Sequence, residues 1–171
     1  MVRSVLKKTY QLLVAWWLDE YLVKRRNERF SGDVREGVEF LFTKFSGRIV
    51  PNEREPPPLF DFARVTVEAD DLRFSFTKDR GSVHVAVASE KLPGDWHDLS
   101  ALLNVLGISE VEYSRLFTIA RLLEANLSAI KEALSTGHIE QTKEALSEVY
   151  DSRSRAARRI EAQINRKIYG Q

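Results

Sequence analysis

The chain contains no cysteine. Disulfide staples, thiolate nucleophiles and cysteine-held zinc are excluded together. Histidine is scarce too. None of His84, His97 and His138 has a second histidine at ligand spacing, so neither a metal site nor a cofactor is expected. No glycine-rich loop links a strand to a helix, and no G-x-S-x-G elbow is present, which leaves nucleotide binding and serine hydrolysis without a motif. The apolar run Leu12 to Leu18 has seven residues, far fewer than a bilayer crossing needs. Asp19 and Glu20 follow it directly, without a small-x-small cleavage pattern, so it is expected to belong to a retained helix. Core packing outweighs membrane-surface binding for its Trp16-Trp17 pair. A cytoplasmic location is the expectation.

The 171 residues carry a formal net charge of +1, so no global field draws the protein to nucleic acid. The charge is uneven. Lys24, Arg25 and Arg26 mark a basic N-terminal segment. The C-terminal stretch holds Arg153, Arg155, Arg158, Arg159, Arg166 and Lys167 against Glu161 alone.

Between Phe62 and Ser89 apolar and polar residues alternate. Val65, Val67 and Ala69, then Leu72, Phe74 and Phe76, then Val83, Val85 and Val87 share one face. A period of two over three runs predicts an antiparallel sheet with one buried and one wet face. A two-residue turn at Asp70-Asp71 sets Val67 opposite Phe74 and Glu68 opposite Arg73. The second turn lies within Lys78 to Gly81 and needs an even loop, with Gly81 supplying positive φ.

The flanks read as helical. A helix over Val2 to Arg29 is expected to break near Phe30-Ser31-Gly32. Asp33, with Glu36 in a capping box, then starts a second helix over Val34 to Phe45, which buries Val38, Leu41, Phe42 and Phe45 and stops at Gly47. Arg48 to Val50 suits a short edge strand. Asn52 to Pro58, with three consecutive prolines, reads as a stiff connector rather than a PxxP ligand. Asp98 caps a helix over Leu99 to Leu106 that ends at Gly107. Ser109-x-x-Glu112 opens a heptad seam of Tyr113, Leu116, Ala120, Leu123, Leu127, Ile130 and Leu134. After Thr136-Gly137 comes a last helix with Ile139, Leu146, Val149, Ala156, Ile160, Ile164 and Ile168 on one side, interrupted by Arg153.

These elements predict an α+β fold: a small antiparallel sheet covered on one face by helices, plus a C-terminal antiparallel helical hairpin. The expected division is an α+β unit over 1–107 and a hairpin over 108–171, packed on that unit or on a second subunit. A homodimer through the C-terminal helices follows from the second alternative.

Three function classes compete. Protein binding would use the wet sheet face, with Arg64, Glu68, Arg73, His84 and Trp96 as candidates. Nucleic-acid binding would use the basic C-terminal residues named above. Catalysis would need His97, within Trp96-His97-Asp98, to act as a base; an anchoring tryptophan and a capping aspartate explain the cluster more simply. Protein binding leads.

The order Phe40-Leu-Phe42, Val65-x-Val67, Leu72-x-Phe74-x-Phe76, Asp79-Arg-Gly81, Val83-x-Val85 and Trp96-x-Asp98-Leu99, within Val34 to Gly107, resembles small bacterial α+β proteins of immunity-protein type. The resemblance implies a partner protein, a toxin among the options, and carries no catalytic residues. The C-terminal hairpin lies outside it.

Overall fold

The computed structural model describes residues 21–52, 62–92, 94–108 and 115–169, with side chains through 164. The expectations for residues 2–20, for the triple-proline connector, for the Ser109 capping box with Tyr113, and for the Ile168 side chain lie outside them.

Five strands form one antiparallel meander in the order β1-β2-β3-β4-β5. They are β1 (Arg48–Val50), β2 (Ala63–Ala69), β3 (Leu72–Asp79), β4 (Ser82–Ser89) and β5 (His97–Asp98). The fold is α+β, as the alternation predicted. The parity argument also holds: Ala69 pairs with Leu72, Val67 with Phe74, Val65 with Phe76 and Glu68 with Arg73. Asp79 pairs with Ser82 across the two-residue turn Arg80-Gly81. Both turn residues have positive φ, +49° and +84°, which matches the right-handed twist of the flanking strands. His84 therefore sits opposite Thr77.

The first helix differs from expectation. Helix α1 covers residues 21–37 without a break at Phe30-Ser31-Gly32, and Asp33 lies inside it. Phe30, Val34 and Val38 recur every four residues and are all buried. Burial of that stripe outweighs the roughly 1 kcal/mol that an interior glycine costs. The chain bends at Val38 instead, and α2 (Glu39–Lys44) follows. Gly47 ends this segment as expected: its N–H donates to the Leu41 carbonyl at 2.8 Å.

Asp98 caps α3 (Leu99–Val105) by accepting from the Ala101 N–H at 3.0 Å. At its other end Gly107, φ +75°, and Ile108 return hydrogen bonds to Asn104 and Leu103, the paired closure typical of a glycine C-cap. Helices α4 (Leu116–Ala133) and α5 (Ile139–Tyr169) form the antiparallel hairpin. Thr142 Oγ1 closes it on the Ala133 carbonyl at 2.8 Å.

The α4 seam is spent inside the chain. Ile119, Leu123, Leu127 and Ile130 join Val67, Phe74, Phe76 and Val85 in one hydrophobic core, which Leu146 of α5 also enters. Helices thus cover one sheet face, and among the described residues the α4 seam from Ile119 to Leu134 is buried within the chain. Beyond Val149 the apolar side of α5 leaves the body: Ile160 and Ile164 are 58% and 48% exposed.

Candidate interaction surfaces

The outer sheet face starts from strand parity. Residues that alternate with the core positions point away from the helices, and the register aligns them in rows. One row runs Arg48, Glu68, Arg73, Ala88. Trp96, one position before the Val87–His97 pair, extends it. Glu68 bridges its neighbours: Arg48 lies at 2.9 Å from Oε2 and Arg73 Nε at 3.0 Å from Oε1. The Arg73 guanidinium sits 6.0 Å from the Trp96 ring centre, within cation–π range.

This face is less wet than the alternation predicts. Thr66 is buried, Arg64, Glu68 and Arg73 are half-buried, and only His84 of the five binding candidates is exposed. Two asparagines account for part of the cover. Where β1 stops, Asn27 Oδ1 accepts from the Arg64 N–H at 3.2 Å, and Asn52 Nδ2 donates to the Arg64 carbonyl at 3.0 Å. Asn52 Oδ1 also accepts from the Thr66 hydroxyl. They continue the ladder that β1 leaves unfinished. The Arg64 guanidinium turns over Phe62, 5.5 Å from its centre. The structure thus brings Glu68, Arg73 and Trp96 into contact and leaves Arg64 and His84 on a separate row with Thr77.

The Trp96-His97-Asp98 segment was expected to supply an anchoring tryptophan and a capping aspartate, with no strand. Its last two residues also form β5, because Val87 and Ala86 on β4 still offer an open edge. The strand sends the three side chains to three tasks. Trp96 faces the arginine row, Asp98 caps α3, and His97 is buried. His97 Nε2 lies 3.5 Å from Asp95 Oδ1, and Lys143 of α5 reaches Asp95 Oδ2 at 2.7 Å. Burial pushes the His97 imidazole below its usual pKa; Asp95 opposes this and Lys143 adds to it. The hydrogen bond to Asp95 raises Lys143 above the ordinary lysine range. A small cleft nearby, about 190 Å³, is lined by His84, Asp98, Ser100 and Ile119 but not by His97. The Asp95 carboxylate thus joins α5 to the segment that enters β5.

Arg153 is likewise an anchor. Its guanidinium donates to Ser100 Oγ at 3.0 Å and lies 3.4 Å from Asp98, while the Tyr150 hydroxyl accepts from the Asp98 N–H at 3.2 Å. This separates Arg153 from the other basic candidates. Arg155, Arg158 and Arg159 project into solvent on the free half of α5. Arg166 and Lys167 continue that helix, with side chains outside the described residues. Sequence reasoning missed Lys143 and Tyr150. Lys143, the single cation among Glu140, Glu144, Glu148 and Asp151, was the available signal.

Comparison with protein-family models, with curated proteins and with solved structures returns no match. Among the described residues no cluster of three or more histidine or acidic side chains is arranged to hold a metal ion. No helix among them is long and apolar enough to cross a membrane.

Proposed function

We propose that the protein is a protein-binding module of adaptor or toxin-neutralising kind, and that it meets its partner with the outer sheet face. The observation that carries this reading is the ordered Arg48–Glu68–Arg73–Trp96 row. Tryptophan and arginine are the side chains that most often dominate protein interfaces. Holding them in place beforehand lowers the entropy lost on binding. Capture from the native host with the wild-type protein and with Trp96→Ala tests the reading. A stoichiometric protein retained by the first and lost by the second is the expected result. Equal recovery by both, or none by the wild type, would refute it.

A second reading, nucleic-acid binding, draws on exposed Arg155, Arg158 and Arg159. Phosphate contacts would show as retardation in a gel at low salt that fades steeply as salt rises. The exposed Glu144, Glu148 and Asp151 on the same helix work against it.

A further inference from the structure

Helix α4 has a second side that the core does not use. Phe117, Arg121 and Glu124 follow at spacings of four and three, which puts them on one stripe. All three are exposed, and Ala120 lies beside them at the margin of the core. Phe117 opens the stripe and is 70% exposed, more than any other large apolar side chain among the described residues. Across from the stripe lie the end of α1 and the whole of α2. Two ties hold these walls together. Gly37 meets Leu116 so closely that a Cβ would fall 2.6 Å from Leu116 Cδ2, and Lys44 reaches Glu124 at 2.6 Å. Position 37 is thus level with 116 and position 44 with 124, so both walls run in the same direction. Between the ties they part into a groove of about 330 Å³.

The floor of the groove is apolar, with Phe40 and Ala120 lining it. Its rims carry opposite charges. Glu36 and Glu39 stand on the α1–α2 wall and Arg121 on the α4 wall. Among the described residues none of the three has an ion-pair partner. Phe117 stands at the lip with most of its ring outside.

A two-fold axis turns these features into complements. It reverses direction, so the α4 stripe of one copy runs against the α1–α2 wall of the other. Phe117 and Arg121 are four residues apart, and so, in the opposite sense, are Phe40 and Glu36. Setting the Phe117 ring over Phe40 of a second copy therefore carries Arg121 to Glu36 of that copy, and the same contacts repeat across the axis. Phe117, Ala120 and Arg121 share one side of α4, so they reach the contact together. The two rings form a favourable aromatic pair, and each glutamate gains a cation that its own chain does not supply.

We propose that Phe117 of one copy docks in the groove between α2 and α4 of a second copy, as a two-fold dimer with reciprocal Arg121–Glu36 pairs. Helix α4 lies on the helical side of the sheet, so this is independent of the outer-face reading. The contact rests on one ring and its rim charges, which places association in the upper micromolar range. Dilute protein is monomeric, and its folding stability does not register the contact. Analytical ultracentrifugation at low salt, from low micromolar to near-millimolar protein, should pass from the 19.7 kDa chain mass to twice that value. Phe117→Ala should weaken the dimer by about tenfold or more. Arg121→Glu and Glu36→Arg each act twice across the axis and should weaken it by about tenfold. The double variant should restore it, since each reversed charge again meets its opposite on the second copy. Neither reversal breaks an ion pair within the described chain, and circular dichroism confirms that the variants fold. A monomer at every concentration overturns the proposal. So does a dimer indifferent to Phe117→Ala or to the single reversals, or a double variant that folds but stays monomeric.

Discussion

Leu123→Ala asks whether α4 belongs to the core of the sheet. Leu123 is fully buried at the centre of α4 and shares one core with Phe74, Phe76 and Val85. The substitution removes three carbons. At about 0.8 kcal/mol each, transfer alone costs ~2.4 kcal/mol. A cavity that the packed sheet cannot close raises the total to about 3–5 kcal/mol. For a chain of this size that lowers Tm by roughly 6–20 °C. Urea unfolding followed by tryptophan fluorescence and by circular dichroism gives the free energy and tests whether one transition describes both signals. Phe117→Ala is the control: Phe117 is on the same helix but 70% exposed, so its loss should stay within about 0.5 kcal/mol. A Leu123→Ala effect below 1 kcal/mol, or helix signal lost before the sheet unfolds, would show that α4 is an appendage and refute the reasoning.

Gly47→Ala should destabilise by about 1–3 kcal/mol in the same assay, because a Cβ there would lie 2.7 Å from the Leu41 carbonyl oxygen. Arg80→Asn should stabilise by up to ~1 kcal/mol, since asparagine tolerates the positive φ that Arg80 adopts in its hairpin turn. Glu68→Ala should cost about 1–3 kcal/mol by removing a carboxylate from the half-buried Arg73; a neutral result would mean that the arginine row is ordered without Glu68. His97 supplies a pH signature. Its folded pKa lies below the unfolded value of 6.5, so the unfolded chain takes up the proton first. Stability should be constant above neutrality and fall as pH drops through 6.5 towards the folded pKa; His97→Gln should flatten this slope in pH-dependent melts.

The sheet was legible because period-two alternation and two-residue turns constrain each other. A one-residue slip would have put Phe74 and Phe76 in water, so parity alone set Glu68 opposite Arg73. Other features depended on tertiary contacts that no local pattern carries. Gly32 and Asp33 look like a helix break, but Phe30, Val34 and Val38 lock that turn into the core. The fifth strand is two residues long and exists because β4 presents an edge beside it. The apolar stripe of α5 recurs on both sides of Arg153 in sequence, yet only its first half meets the body. For the candidate site, the Glu68–Arg73 pair followed from register. The stacking of Trp96 on Arg73 did not, because it requires β5.

The claim that this protein acts by binding another through its outer sheet face is tested most directly by replacing His84 with a photo-crosslinking amino acid in the native host. His84 is exposed on that face and opposite Thr77, so the probe sits at the interface without disturbing the core. Irradiation should give a discrete adduct with one other protein, and the same probe at Ser128, exposed on α4, should not. No adduct from position 84, or a pattern identical to that from position 128, would contradict the account.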